Sequence, residues 1–310
     1  MSTAPPLGSK PKRPPKRFAP LDPTAQHDET LPKLKGIVFD VDGTLCLPQN
    51  YMFREMRSAL GIPKSVDIID HLRSLSNEPD GEHPAAEPPH APLDPTQPPS
   101  EEMLSPTSDT DPDPAPSSPQ SRAVGMIKAI ERRAMTSQRP QPGLQELMAY
   151  LTSRRVPKAL CTRNFPAPVH HLLSNFLPDE KFHPIITRET KGVQPKPSPE
   201  GLWTIATQWG LDKDVDDRVL DSITVRSGPE GEIEVDPLEV TKRVLGSGLI
   251  MVGDSMDDMA SGYRAGAATV LLLNDENQEL GNHEYTGLCV RRLDELIGIL
   301  ERGFEEKSSS

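Results

Sequence analysis

Cysteine is scarce in this chain: three in 310 residues, at Cys46, Cys161 and Cys289. An odd number so widely spaced builds no disulfide framework and fits a reducing compartment. No uninterrupted apolar run approaches the roughly 20 residues a membrane helix needs. The first twenty residues carry five basic side chains but no apolar signal-peptide core, and their prolines resist an amphipathic transit helix. The expected location is the cytoplasm, with the nucleus also open, and no membrane contact is expected. Positive charge is not in excess either. A formal net charge of −12 argues against a strongly basic nucleic-acid-binding domain, so no nucleic-acid partner is expected.

Aromatics are few, 13 in all, whereas there are 35 prolines. Eight prolines fall in residues 1–33 and 13 in residues 77–120. The second segment holds ten Asp/Glu and no Lys or Arg, a charge of −10; residues 1–33 carry +3, which leaves −5 on the other 233 residues. Neither proline-rich segment has the apolar residues for a core, and the remainder does. The expected organisation is a disordered basic tail over 1–33, a disordered acidic loop over 77–120, and a short tail over 304–310. Both long segments offer places for a protein partner. The patch Pro11–Arg17 suits nuclear import or an acidic partner, and Ser105-Pro106 and Ser118-Pro119 suit phosphorylation.

Between these segments strand and helix patterns alternate. Lys35–Asp40 is a short apolar run ending in a carboxylate, as in a buried strand entering a turn. Helical patterns follow at 51–60 and at 65–75 behind a possible cap at Ser65, and again through Val124, Ile127, Ile130 and Ala134. Leu144, Leu147, Met148 and Leu151 share one helical face. Val156–Cys161, 184–187, Leu249–Val252 and Thr269–Leu273 read as strands; 169–176, 199–209, 257–265 and 293–300 read as helices. Alternation around Gly228–Gly231 gives a modest hairpin signal over 222–236. The whole predicts an α/β fold, a Rossmann-like parallel sheet with helices on both faces, in which ligands bind beyond the carboxyl ends of the strands. Asp40 and Asp254 fall at such ends.

Hydrolysis of a phosphate monoester needs a nucleophile, a proton donor for the leaving oxygen, and cations against the phosphoryl charge. A carboxylate nucleophile needs no deprotonation at neutral pH, and Mg²⁺ relieves its repulsion of the incoming dianion. Asp40 and Asp254 could share such an ion. Asp42, two positions after Asp40 and on the same side if extended, can stand beside the leaving group and shuttle a proton. Thr162 and Lys196 offer a hydroxyl and an ammonium to the phosphate.

Asp40-Val41-Asp42-Gly43-Thr44-Leu45 resembles the first signature of the haloacid dehalogenase superfamily. Thr162 after Ala159-Leu160-Cys161, Lys196 in Lys-Pro-Ser-Pro, and Gly253-Asp254-Ser255-Met256-Asp257-Asp258-Met259 are similar to its other three, in order, over about 34–302. The resemblance implies that Asp40 is the nucleophile forming an aspartyl-phosphate and Asp42 the general acid/base. It implies that Asp40, the backbone carbonyl of Asp42, and Asp254 bind Mg²⁺, and that Asp258 orients a metal-bound water or Lys196. Thr162 and Lys196 would hold the phosphoryl oxygens, helped by the amides of Gly43 and Arg163. Asp257 reads as an N-terminal helix acid.

An acid at Asp42 fits phosphatases and phosphomutases, whereas carbon–halogen members lack it. Size excludes the P-type ATPases, and phosphonatase-like chemistry would need a cap lysine such as Lys64 or Lys128. Asp40 and Thr162 are 122 residues apart, room for a small helical cap, whereas Thr162 and Lys196 are only 34 apart. The expected domains are therefore a core of 34–47 with 139–303 and a cap over 48–138. This points to the phosphoglycolate-phosphatase and β-phosphoglucomutase branch, acting as a monomer on a small phosphorylated metabolite. Arg54, Arg57, His71, Lys128, Arg132 and Arg133 are candidates for reading that substrate. The alternatives are a sugar phosphomutase and a catalytically weak interaction protein. His170-His171 read as surface or packing residues and Cys161 as a small buried strand residue, and Cys46 is expected near the site.

Overall fold

The computed structural model describes residues 13–75, 118–214 and 244–307. The chain enters through β1 (Arg17–Phe18) and β2 (Gly36–Phe39), followed by α1 (Asn50–Leu60), α2 (Ile68–Ser74), α3 (Pro119–Met135) and α4 (Leu144–Ser153). Then come β3 (Lys158–Cys161), α5 (Pro166–Phe176), β4 (Ile185–Ile186), α6 (Glu200–Gln208) and β5 (Leu249–Gly253). α7 (Met256–Ala265), β6 (Ala268–Leu272), β7 (Leu288–Val290), α8 (Glu295–Arg302) and β8 (Phe304–Glu305) complete it.

Six strands form one parallel sheet in the order β4-β3-β2-β5-β6-β7. Strands β2, β5 and β6 are buried at every position, which is why β2 and β5 read as unbroken apolar runs rather than alternating ones. Ile37, Phe39, Ile250 and Val252 pack on one face with Leu144, Leu147, Val169, Leu172, Leu296 and Leu300. Val38, Leu249 and Met251 pack on the other with Leu202, Ile205 and Ala265. Helices therefore cover both faces, as expected. Parallel registers align Phe39 with Leu160 and with Val252, so the residues after β2, β3 and β5 emerge together.

The described residues form two compact units, one up to Asn50 and from Glu131 onward, the other Tyr51–Ile130. The second is helical, with Met52, Met56, Ile68, Ile69, Leu72, Ala123 and Ile127 buried. Gln120 Nε2 donates to the Leu72 carbonyl at 3.1 Å, tying α3 to α2. The boundary lies inside the expected 48–138. Gln49 Nε2 donates to the Ala134 carbonyl at 2.9 Å, and Glu131 accepts from the backbone N–H of Phe165 at 3.1 Å. Both contacts keep 131–138 with the core.

Several expectations are corrected. Asp67, not Ser65, caps α2: its Oδ1 accepts from the N–H groups of Ile69 and Asp70, and the charged carboxylate favours the positive helix end. From Arg13 onward the N-terminal segment is ordered, and 304–307 is no tail. β1 pairs antiparallel with β8, burying Phe18 and Phe304 with ring centroids 5.8 Å apart. Arg13, counted above in a partner patch, donates to Glu306 and to the Ala267 carbonyl. Glu306, buried, also accepts from the N–H groups of Lys16 and Thr269. The hairpin expected over 222–236 and the acidic loop up to residue 117 lie outside the described residues. Pro119 and Gln120 belong to α3. Among the described residues no helix is long and apolar enough to cross a membrane.

Candidate active site

Asp40 follows β2, and its N–H donates to the Val252 carbonyl of β5 at 3.0 Å. Thr162 follows β3, and its N–H donates to Ile186 at the end of β4 at 2.9 Å. Asp254 follows β5. The turn Asp42–Thr44 needs its glycine: Gly43 has φ +80°, and a Cβ there would lie 2.0 Å from Asp254 Oδ2. The Gly43 carbonyl accepts from buried Gln141 Nε2 at 2.8 Å, which pins the turn from behind.

Lys196 is buried with Nζ 2.7 Å from Asp40 Oδ1 and 2.5 Å from Asp258 Oδ1. Asp258 is fully buried, and its other oxygen accepts from Ser255 N–H at 3.0 Å and Ser255 Oγ at 2.6 Å. Ser255 Oγ in turn caps the Asp258 N–H, a reciprocal capping box at the start of α7. Both Asp258 oxygens are thus engaged, one by Lys196 and the other by Ser255. One oxygen each of Asp40, Asp254 and Asp258 lie within 4.8 Å of one another. Asp254 is held by Asn274, whose Nδ2 lies 3.2 Å from Oδ2, and by Asn277 Nδ2 on its carbonyl at 2.7 Å.

Charges in this cluster do not balance. Burial raises the Asp40 carboxyl to about 7; Lys196 opposes the rise and Asp258 adds to it. Asp254 is pushed well above the carboxylate range by burial and then by Asp258 and Asp40. Lys196 is the reverse case, its ammonium favoured by Asp258 and Asp40 beyond the opposing cost of burial. Three carboxylates against one ammonium, Asp40 and Asp258 buried and Asp254 partly so, fit a hard divalent cation with oxygen ligands.

The Asp42 side chain stands outside that cluster. Its Oδ2 accepts from Asn164 Nδ2 at 2.6 Å and its Oδ1 from Cys46 Sγ at 3.3 Å. Burial raises its pKa, against the opposing pull of Asn164 and Cys46. Thr162 Oγ1 donates to Asn164 Oδ1 at 3.3 Å. The sequence reading missed Asn164, although it lies two residues past Thr162. It also missed Glu131, which shares a helical face with Ile127 and Ala134 and so sits on an apolar stripe.

Other candidates fall elsewhere. Asp257 is in the first turn of α7 as expected, and it pairs with Arg163. Arg54, Arg57, His71 and Lys128 lie on helices of the other unit, while Arg132 and Arg133 lie in the core unit. His170 and His171 are on α5, and His171 Nδ1 hydrogen-bonds Gln138 Oε1 at 3.0 Å. Burial pushes the Cys161 thiol up to about 12, which suits a packing residue.

A parallel sheet that gathers carboxylates, a buried lysine and a threonine beyond its strand ends is the framework of an α/β enzyme. The chain belongs to the haloacid dehalogenase-like hydrolases, whose family model matches residues 34–266. It is 33% identical over 276 residues to an uncharacterised hydrolase of Saccharomyces cerevisiae, spanning 87% of this chain and 93% of that one. It is 26% identical over 290 residues to a haloacid dehalogenase-like hydrolase domain-containing protein of Arabidopsis thaliana (88% and 86%). Among solved structures it is similar to CbbY of Rhodobacter sphaeroides in complex with phosphate, with TM-score 0.48, 16% identity, and coverage of 85% of this chain and 96% of that one.

Proposed function

We propose that this hydrolase is a Mg²⁺-dependent phosphatase acting on a small phosphate monoester through an aspartyl-phosphate. The observation that carries the reading is the division between two neighbouring carboxylates. Asp40 is 2.7 Å from the Lys196 ammonium within the acidic cluster, and Asp42 is held apart by Asn164 and Cys46. That division supports Asp40 as the attacking group and Asp42 as the one that exchanges a proton.

In this mechanism an Asp40 oxygen attacks phosphorus while the bond to the leaving oxygen breaks. Asp42, its proton favoured by burial, passes that proton to the leaving oxygen, and an alcohol departs. Water then attacks the aspartyl-phosphate and gives its proton to Asp42, which restores both carboxyl groups and releases inorganic phosphate. Lys196 and Thr162 hold the phosphoryl oxygens, and Asp258 keeps the Lys196 ammonium in position. Asp40, the Asp42 backbone carbonyl and Asp254 would hold Mg²⁺, which when bound offsets the charge of carboxylates and phosphate.

The test is turnover of p-nitrophenyl phosphate by the purified protein with Mg²⁺. Asp40→Asn and chelation of the metal are each expected to abolish it. Activity that survives Asp40→Asn would refute the covalent route, and activity untouched by chelation would refute the metal.

A further inference from the structure

The peptide group joining Asn164 to Phe165 is satisfied on both sides inside the protein. The Asn164 carbonyl accepts from Arg188 N–H at 3.0 Å, and the Phe165 N–H donates to Glu131 Oε2 at 3.1 Å. Glu131 and Arg188 face each other, with Glu131 Oε1 3.4 Å from Arg188 Nη1, and the Arg188 guanidinium lies 4.6 Å from the Phe165 ring centroid. Two distant segments thus fix one peptide plane. From it the Asn164 side chain, 6% exposed, reaches Asp42 through Nδ2 and Thr162 through Oδ1.

We propose that Asn164 is a positioning residue for proton transfer: it holds the Asp42 carboxyl at the leaving oxygen and ties it to the hydroxyl of Thr162. The proposal rests on Asp42 acting as the acid. An amide bonded to one carboxyl oxygen limits rotation about the Asp42 side chain. The Cys46 thiol alone, at 3.3 Å and a weak donor, does not set that rotation. Because Asn164 also accepts from Thr162, the proton donor and a phosphoryl-binding group are registered to each other through one side chain.

Leaving-group dependence separates this role from general support of the fold. A p-nitrophenolate leaves with little protonation, whereas the alkoxide of glycerol phosphate must be protonated as it leaves. Comparing kcat/KM for the two confines the measurement to steps up to leaving-group departure. Asn164→Ala and Asn164→Leu, the second close to Asn in size, are each expected to lower the glycerol phosphate to p-nitrophenyl phosphate ratio about tenfold or more. Asp42→Asn should lower it further. A ratio unchanged within about threefold in a folded Asn164 variant, with Asp42→Asn still lowering it, would overturn the proposal and leave the phosphatase reading intact. An unchanged ratio in Asp42→Asn would overturn the assignment of the acid, and this proposal with it. Thermal melts establish which variants fold, and Asn164→Leu decides where Asn164→Ala does not.

Discussion

Replacing Glu131 by glutamine should make the protein less sensitive to alkaline pH. Glu131 is 2% exposed, and burial raises its pKa from 4.5 to about 7, with Arg188 and the Phe165 N–H opposing the rise. The native state therefore binds this proton more tightly than the unfolded chain does. Stability from Glu131 is fully present below pH 4.5 and is lost as pH rises through 7. Each unit of separation is worth about 1.4 kcal/mol, so the full loss is about 3 kcal/mol. Part of it has already occurred at pH 5.5, and between pH 5.5 and 8 the remaining loss is about 2 kcal/mol. Glutamine keeps an oxygen for the Phe165 N–H but has no proton to lose. Unfolding by urea at the two pH values measures the effect. The stability of Glu131→Gln relative to the wild type should rise by about 2 kcal/mol from pH 5.5 to pH 8. Asp40, Asp42 and Asp254 shift in the same direction, but they are common to both proteins and enter the difference only through the smaller coupling of Asp42 to Glu131. A difference independent of pH would refute the reasoning. One that falls with pH would mean that Glu131 is stabilised as a carboxylate by Arg188.

The β1–β8 pairing and the acidic cluster yield two more outcomes. Phe18→Ala should cost about 3–5 kcal/mol in denaturant unfolding, the usual span for a buried Phe; a loss below about 1 kcal/mol would mean that β1 adds nothing to the core. Asp254→Asn should raise the melting temperature of metal-free protein at alkaline pH, where the wild-type carboxyl must ionise beside Asp258 and Asp40, and should abolish Mg²⁺ binding in calorimetry. Unaltered binding would remove Asp254 from the metal site.

Much of the core was legible because its signals are local. Gly36–Phe39 and Leu249–Gly253 are buried at every position, so they read as apolar runs, and each ends at the carboxylate that matters. Sequence spacing alone also gave the buried face of α4. What escaped depends on partners far along the chain. β1 and β8 have two residues each and pair Arg17 with Glu305; neither has a period to detect, and the prolines around Phe18 argued for disorder. β7 is three residues at the sheet edge. Asn164 is an ordinary loop polar residue until Arg188 and Glu131 fix its backbone, and no single window of sequence contains all three.

Charge is distributed by function across this end of the sheet. Arg163 faces Asp257, so these flanking charges cancel close to where they arise. In the middle, Lys196 is shared between Asp40 and Asp258 while Asp254 stands nearby, and negative charge is left over. A stable core would avoid that excess, since each buried carboxylate disfavours the others. In the proposed function, a cation and a phosphoryl group would complete that balance at the carboxyl ends of β2 and β5. The proton-handling side chain has to remain outside that balance. Were Asp42 drawn into the cluster it would compete for the same cation, so a neutral amide is the fitting group to hold it at a distance. Asn164 meets that requirement where a lysine or arginine would not: it orients a carboxyl without fixing its charge.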